Sequence, residues 1–274
     1  MIKWLMTITT MLFHGITWCQ PLPNSHAHND YEKDEPLFRA LRNGFISLEV
    51  DVFLHQQKLI VSHIPFMLFM KPTLQDLYLT PLHNIISENK GSVYPDFSEP
   101  VVLMIDIKRD GEQTYVALKK ALQPYNSMLT TYRNDSIIQG PIEINLSGNC
   151  PLALLKQDKE RWATADLSIE KGLDSTLSHI LVKRVSSPYR KYFKWRGMGV
   201  QPMDEKMRLD SLVAQAHRQQ KQIRFYAAPN KRKVWNTLLD SGVDWINVDR
   251  VKRFRKFYEN RKQKKNCQMC RSAW

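Results

Sequence analysis

The stretch FISLEVDVFL (45–54) decides the fold prediction, because apolar residues alternate in it with Ser47, Glu49 and Asp51. Successive side chains of a β-strand point to opposite faces, so the two carboxylates share one face and the aliphatic side chains share the other. On the inside of a barrel, two neighbouring anions are costly to desolvate unless a cation lies between them. The stretch therefore predicts a strand with a functional face.

Other short apolar runs also predict strands, and segments with helical spacing lie between them. Strands are expected in KLIVSH (58–63), VVLMIDIK (101–108), PIEINLS (141–147), HILVK (179–183), IRFYAA (223–228) and DWINVD (244–249), and helices at 112–123, 204–220 and 231–241. Such alternation predicts a parallel barrel or a doubly wound sheet. We expect an α/β fold of the TIM-type (β/α)8 class, not necessarily regular, because 274 residues fit one barrel of about 250.

The ends of the chain differ from its middle. Residues 1–19 are predicted to be a signal peptide, because one cation precedes a mostly apolar stretch that is too short for a membrane span. Residues 20–258 are expected to form the barrel and residues 259–274 a basic tail. The leader predicts export to a periplasm or to the medium. Lipidation at Cys19 is less favoured than simple cleavage, since the bulky Trp18 precedes it.

Beyond the leader the chain has Cys150, Cys267 and Cys270, an odd number that excludes a complete disulfide framework. The terminal CQMC has no second cysteine pair and no histidine pair nearby, so a structural zinc is not expected. The fold must therefore be stabilised by its core.

The net charge of +13 is concentrated at the C-terminus. Residues 250–274 contain ten lysines or arginines against Glu259, which gives +9 and leaves +4 for the rest of the chain. The default interpretation is a solvated final helix, and the alternative is attraction of the tail to an anionic membrane surface. No nucleic-acid partner is expected, because no interleaved aromatic residues or nucleic-acid motif accompany the charge.

Asp106 and Lys108 share one face of the strand 101–108, so a third carboxylate and a cation join Glu49 and Asp51. Three interior carboxylates indicate a metal site, and oxygen ligands suit a hard divalent ion, Mg²⁺ or Ca²⁺. The alternative is a lysine or arginine that pairs with the acids, and for the Glu-x-Asp pair alone this alternative is favoured.

Two histidines lie near the expected ends of strands. His28 belongs to the run HAHNDY (26–31), close to the leader, and His63 follows an apolar strand. Two histidines near a metal form a natural general acid and base pair, because an imidazole titrates near neutral pH. The remaining histidines outside the HAHNDY run are interpreted as structural or solvated: His14, His55, His83, His179 and His217.

In this order, the motifs resemble the catalytic core of the superfamily that unites phosphatidylinositol-specific phospholipase C with glycerophosphodiester phosphodiesterase. The resemblance extends through PLFRALRNGFISLEVDV (36–52), IRFYAAPN (223–230) and GVDWINVD (242–249). From Ser25 to about Phe254 the chain is most similar to the branch that includes the altered inheritance of mitochondria protein 6 family.

The resemblance implies a phosphoric diester hydrolase that acts on a glycerophosphodiester or a phospholipid headgroup. It implies acid–base catalysis by His28 and His63, metal ligation by Asn29, Glu49, Asp51 and Asp106, and phosphate binding by Lys108. Asn29 stands where glycerophosphodiesterases have an arginine. Asp106 stands where they usually have a glutamate, and in having an aspartate there the chain is more similar to sphingomyelinase D. The motifs therefore do not select a substrate.

Two other functions stay open from the sequence. A metal-dependent amidohydrolase also begins with a His-x-His at its first strand, but it needs histidines on later strands. After residue 140 the strand ends offer Asp249 but no such histidine. We therefore interpret His26 as a neighbour of the site and not as a ligand. A non-catalytic barrel that binds lipid or another anionic surface is the second alternative.

Overall fold

The structure is a computed structural model that describes residues 19–133 and 136–272, with side chains as far as residue 264. The predicted leader lies outside this part except for Cys19, and the side chains of Cys267 and Cys270 lie outside it too. The signal peptide, the export and the domain boundaries therefore stay predictions. None of the described helices is apolar over a length that would cross a bilayer.

The described residues form twelve strands. They are β1 Ser25–Ala27, β2 Ser47–His55, β3 Lys58–Val61, β4 Val101–Ile107, β5 Thr131–Arg133, β6 Ser136–Ile138, β7 Ile142–Gly148, β8 Glu160–Arg161, β9 Ala163–Ser168, β10 Val182–Pro188, β11 Gln222–Tyr226 and β12 Trp245–Val248.

The same part of the chain forms nine α-helices and several shorter turns. The helices are α1 Phe38–Arg42, α2 Thr80–Glu88, α3 Gly111–Leu122, α4 Leu152–Gln157, α5 Ile169–Gly172, α6 Tyr189–Tyr192, α7 Met203–Arg218, α8 Arg232–Asp240 and α9 Val251–Ser272. Three 3₁₀ turns lie at Asp30–Glu32, Leu68–Met70 and Gln123–Met128, and a π turn lies at Gln75–Leu79.

Eight of the strands close into a parallel barrel, which confirms the predicted TIM-type (β/α)8 class. Their order is β1-β2-β4-β7-β9-β10-β11-β12, and β12 pairs with β1 to complete the ring. β3 pairs antiparallel with β2 and is not one of the eight barrel strands. The short strands β5, β6 and β8 form a separate small sheet. They precede β7 and β9, so this sheet lies at the amino-terminal end of the barrel.

The hydrophobic core lies between the strands and the surrounding helices, and the barrel interior is largely polar. Leu48, Val50 and Val52 are fully buried in the core cluster, whereas the alternating Ser47 and Glu49 belong to the buried polar residues. The alternation in the sequence therefore separates side chains that face the surrounding helices from side chains that face the barrel interior.

Some predicted strands differ from the observed ones. HILVK (179–183) overlaps β10 only at its end, because the strand begins at Val182. β9 was missed, since ATADLS offers too little hydrophobicity to stand out. KLIVSH does form a strand, but it is the hairpin partner of β2 and not a barrel strand.

The last helix starts as part of the barrel wall. Phe254 and Phe257 of α9 are buried, and each ring centroid lies 5.2 Å from that of Trp235 on α8. Farther along, Arg261 donates to Asp240 at the end of α8, over 2.7 Å. Because α8 leads from the carboxyl end of β11 to the amino end of β12, α9 descends from the barrel mouth to the opposite end.

We expect Trp235→Ala to lower the free energy of unfolding by about 3–5 kcal/mol, because it leaves a cavity between α8 and α9. Urea denaturation followed by circular dichroism measures the change. Val116→Ala is the control, since Val116 is 52% exposed, and it should change stability by less than about 0.5 kcal/mol. Equal stability of the two variants would contradict the packing of α9 against the barrel.

Candidate active site

A cavity of about 930 Å³ opens at the carboxyl end of the barrel strands. Six of the seven residues predicted to form the site line it: His28, Asn29, Glu49, His63, Asp106 and Lys108. The seventh, Asp51, is fully buried and is bonded to two of the lining residues, as described below. The fold thus brings all seven together, and it does so because parallel strands place their carboxyl ends at one edge.

The three predicted acids converge at two neighbouring strands. Asp51 of β2 is the register partner of Asp106 of β4, and Glu49 lies two residues earlier on the same face of β2. One carboxylate oxygen from each of the three acids lies within 4.8 Å of the others. Such a group of anions requires nearby positive charge.

Arg224 of β11 supplies part of this charge to Glu49. Its Nη1 donates to Glu49 Oε2 at 2.8 Å and to Asn247 Oδ1 at 3.0 Å, and its Nε donates to Ser186 Oγ at 3.1 Å. Burial by itself would raise the pKa of Glu49, but the Arg224 charge and the His26 contact outweigh it and hold the pKa well below its usual range. Glu49 is therefore an ionised carboxylate in the barrel interior.

His26 is the neighbour of the site that the sequence predicted. Its Nε2 lies 2.8 Å from Glu49 Oε2 and 2.7 Å from Arg224 Nη1, and its Nδ1 lies 2.7 Å from Ser47 Oγ. Burial and the charge of Arg224 lower the pKa of His26 to about 3. The ring is thus neutral at physiological pH and helps to hold Glu49 in place.

Lys108 lies between the other two acids. Its Nζ is 2.6 Å from Asp51 Oδ2 and 2.7 Å from Asp106 Oδ2. Burial raises the pKa of Asp51 against the lowering effect of Lys108, and the neighbouring Asp106 raises it further. The pairing of acids with lysine and arginine, which the sequence left open as the alternative to a metal, is therefore present in the structure.

The donor set nevertheless fits a hard divalent cation. Asp51 Oδ1 is buried and has no hydrogen-bond partner, so one carboxylate oxygen remains to be satisfied beside Glu49 and Asp106. All three acids offer oxygen ligands, which Mg²⁺ and Ca²⁺ prefer. The amide of Asn29, which lines the same cavity, is a further oxygen donor. A bound cation would compete with Lys108 for Asp51 and Asp106.

The wall next to Asp106 is shaped by a serine and a glycine of β7. Ser147 Oγ donates to Asp106 Oδ1 at 3.1 Å. Gly148 has φ +68°, and a Cβ on it would lie 2.2 Å from Asp106 Oδ1. A side chain at position 148 would therefore displace the carboxylate as well as strain the backbone.

His28 is held by the acid that directly follows the last barrel strand. Its Nδ1 lies 2.7 Å from Asp249 Oδ1, and Asn230 Nδ2 donates to the other oxygen of Asp249. Burial alone would lower the pKa of His28, but the hydrogen bond to Asp249 and the nearby Glu49 raise it above its ordinary value. Asp249 fixes the orientation of the ring through Nδ1 and does not contact Nε2.

His63 is held by Asp51, because the β2–β3 hairpin turns the chain back along β2. Ser62 N donates to Asp51 O at 3.2 Å, and His63 Nδ1 lies 2.9 Å from Asp51 Oδ2. Tyr31 Oη lies 3.3 Å from the same ring nitrogen. Each of the two predicted catalytic histidines is thus oriented by a carboxylate on Nδ1.

The structure adds two residues to which the sequence analysis gave no role. Arg224 was missed, although the alternation in IRFYAA places Arg224 and Tyr226 on one face and Phe225 on the other, and that signal was available. Asp249 was noted as an acid at a strand end, but its contact with His28 joins residues 221 positions apart. Only the closed ring, in which β12 pairs with β1, brings them together.

The comparisons with known proteins agree with the fold. Residues 19–164 match the sequence family of the AIM6-like phosphodiesterase domain. The chain is 28% identical over 267 residues to the altered inheritance of mitochondria protein 6 homolog of Arthroderma benhamiae, with 84% of this chain and 82% of the relative covered. It is 28% identical over 280 residues to altered inheritance of mitochondria protein 6 of Eremothecium gossypii, with 86% and 69% covered.

Two solved structures share the architecture. A glycerophosphodiester phosphodiesterase from Parabacteroides distasonis aligns over 88% of this chain and 99% of its own with a TM-score of 0.51 and 13% identity. A glycerophosphodiester phosphodiesterase from Agrobacterium tumefaciens aligns over 87% and 100% with a TM-score of 0.53 and 12% identity. At such identities the likeness concerns the fold alone.

We expect Arg224→Met to destabilise the protein by about 3–5 kcal/mol, because it leaves the buried Glu49 without its cation. Urea denaturation in the presence of a chelator measures the loss, since the chelator prevents a metal from replacing the arginine. Adding Glu49→Gln should restore part of the stability.

The control for this change is Arg133→Met, which removes an exposed pair with Glu160 and should cost less than about 1 kcal/mol. If Arg224→Met is no more destabilising than this control, the buried ion pair does not hold the barrel interior.

Proposed function

The chain belongs to the AIM6-like phosphodiesterase family, and from the cavity at its barrel mouth we propose that it hydrolyses a phosphodiester with the help of a divalent metal. One observation carries the proposal. Two histidines, each held by a carboxylate on Nδ1, face the same cavity as a cluster of three acids. A binding module has no need of two oriented imidazoles, whereas hydrolysis of a diester needs one proton removed and one delivered.

His28 and His63 divide the proton transfers between them. One imidazole removes the proton of the attacking hydroxyl, which is water or a hydroxyl of the substrate itself. As the new bond to phosphorus forms, the bond to the leaving oxygen breaks, and the other imidazole gives its proton to that oxygen. Asp249 and Asp51 orient the two rings, so that the nitrogen opposite each carboxylate contact is available for the transfer.

Glu49, Asp51, Asp106 and Asn29 would hold the metal, Mg²⁺ or Ca²⁺. When bound, the ion supplies charge stabilisation to the phosphoryl oxygens and lowers the pKa of a hydroxyl beside it. Arg224 sets the orientation and the ionisation of Glu49, as the 2.8 Å contact and the lowered pKa of Glu49 indicate.

Lys108 is the residue of this chain that would meet the negative charge of the phosphate. Its ammonium group lies against Asp51 and Asp106, and it is still part of the cavity wall. If Asp51 and Asp106 held a divalent cation, the Lys108 ammonium group would be free to turn towards the phosphoryl oxygens. A positive group placed where negative charge develops stabilises the transition state.

The experiment that tests the function is an assay on three classes of substrate. Glycerophosphodiesters, phosphatidylinositol and an aryl phosphodiester are incubated with the protein in Mg²⁺, Ca²⁺ or chelator. We expect metal-dependent release of a phosphomonoester, a cyclic phosphate or an alcohol from at least one of them. His63→Ala and Glu49→Gln should each reduce turnover by about a hundredfold or more.

An active His63→Ala variant would remove His63 from the mechanism. Equal turnover in metal and in chelator would reject the metal, and no turnover on any of the three classes in the presence of metal would reject the proposed activity. Ile137→Ala is the control and should turn over substrate as the wild type does, since Ile137 is exposed on the small sheet at the other end of the barrel.

We expect Asp249→Asn to lower kcat by about tenfold to a hundredfold, a part of the ~10²–10⁴ that a general acid or base contributes. The reason is that the amide no longer fixes the His28 ring, whereas KM should change little because Asp249 does not reach the substrate. Steady-state kinetics on the active substrate measures both values.

Asp244→Asn is the matched control. Asp244 also lies beside a histidine, His217, at 2.9 Å, but it precedes β12 at the amino-terminal end of the barrel. This variant should keep kcat, and a fall equal to that of Asp249→Asn would show that the contact between Asp249 and His28 has no specific catalytic role.

A further inference from the structure

A row of large apolar side chains is exposed directly after His63. The exposed fractions are 56% for Ile64, 64% for Phe66, 41% for Met67, 73% for Phe69 and 65% for Met70. We call residues 64–70 the β3 loop, and its second half is the 3₁₀ turn Leu68–Met70. Contiguous apolar exposure of this kind marks a surface that contacts a partner or a membrane, whereas single exposed residues need no explanation.

A second apolar group is exposed after β10, in the segment that leads to α7 and in the first turns of α7. Met198 is 76% exposed, Val200 92%, Met203 73% and Met207 66%. We call residues 193–203 the β10 loop. Its base is fixed, since Tyr189 Oη donates to Trp195 O at 3.0 Å and Trp195 Nε1 donates to Met198 O at 2.8 Å. The loop is therefore anchored by aromatic residues and presents its apolar tip to solvent.

Both loops begin beside the cavity. The β3 loop follows His63, which lines the cavity. The β10 loop follows the carboxyl end of β10, and a Cβ on its Gly197 would lie 3.2 Å from Lys231 Cδ, beside the Asn230 that donates to Asp249. In the ring of eight strands, β2 and β10 are four positions apart in either direction, so the two loops lie on opposite sides of the mouth.

Basic side chains accompany both apolar groups. Lys71 follows Met70, and Lys194 and Arg196 precede Met198; all three are exposed. Among the described residues, no ion pair engages any of them. Apolar tips flanked by free cations suit the interface of a bilayer, where the tips enter the acyl boundary and the cations remain at anionic headgroups.

We propose that the mouth of the barrel is a membrane-docking face, with the β3 and β10 loops inserted into a bilayer that contains anionic lipid. In this orientation the cavity faces the headgroup layer. The docking face does not depend on turnover, and only the further step, that a membrane phosphodiester is the substrate, rests on the proposed function.

This face is distinct from the basic tail that the sequence indicated as a possible membrane contact. α9 descends along the barrel, and Arg261 reaches Asp240 at the end opposite the mouth. Arg261 therefore lies at the other end of the barrel from the two loops. The structure favours the loops, because they combine apolar tips with charge and the described part of the tail offers charge alone.

Vesicle binding by the full chain tests the proposal. The protein is sedimented with vesicles of phosphatidylcholine, with and without about one third phosphatidylserine. We expect Phe66→Ser/Phe69→Ser to weaken binding by about tenfold or more. The matched control is Ile137→Ser/Ile138→Ser, which removes side chains that are 49% and 57% exposed on β6, at the other end of the barrel, and it should bind as the wild type does.

Insertion of the loop itself is read by fluorescence. Phe69→Trp should show additional quenching by vesicles of brominated lipid, relative to the wild type, and Ile138→Trp should not. This readout is specific to the loop whatever other part of the chain contacts lipid. Hydrolysis of a water-soluble aryl phosphodiester by Phe66→Ser/Phe69→Ser should equal that of the wild type.

The outcomes separate the two proposals. Loop quenching without turnover on any substrate would leave the docking face standing and reject the proposed function. Binding by Phe66→Ser/Phe69→Ser equal to that of the wild type, or quenching of Phe69→Trp no greater than that of Ile138→Trp, would overturn the docking face. A dimer in light scattering that Phe66→Ser/Phe69→Ser dissociates, in a protein that does not bind vesicles, would assign the same surface to a second copy of the chain and would also overturn it.

Discussion

Compensation of charge inside the barrel is the constraint on which the rest of this structure depends. Glu49 and Asp166 are buried carboxylates inside the ring of strands, and Arg224 lies within 2.8 Å and 3.5 Å of them. Arg184, 1% exposed, lies with its guanidinium over the ring of Trp245 at 4.4 Å, and burial lowers its pKa to about 10. Burying one of these charges without a partner would cost too much desolvation free energy. The buried acids and arginines are therefore stable only together.

The same compensation prepares the candidate site for chemistry. Lys108 holds two acids together that would otherwise repel, and it does so with a flexible side chain that can move when another cation takes its place. Arg224 is different, because it is buried among fixed partners and keeps Glu49 ionised at any physiological pH. The site therefore combines Glu49, a rigid anion that would orient a bound cation, with Lys108, a cation that can move aside for it.

The two ends of the barrel have different tasks. At the amino-terminal end lie the small sheet and the final descent of α9, and these elements add packing to the barrel wall. At the carboxyl-terminal end lie the cavity, both oriented histidines and the two apolar loops. This separation is typical of (β/α)8 enzymes, in which the loops after the strands vary with function while the opposite end supports stability. It also explains how exposed methionines and phenylalanines persist next to a polar cavity, since they belong to loops and take no part in the core.

The sequence by itself determined the barrel class, the alternation that sends Glu49 and Asp51 to the inner face and, with Asn29 added by the resemblance, the set of seven residues that meet at the mouth. It could do so because the period of a strand fixes the side-chain direction, and because the carboxyl ends of parallel strands share one edge. The tertiary structure alone decided which cations neutralise the acids and which acid holds His28. Arg224 reaches Glu49 and Asp249 reaches His28 only after the ring closes between β12 and β1, across 175 and 221 residues of chain. Contacts of this kind have no local pattern, since their partners are set by the closure of the ring and not by neighbours in sequence.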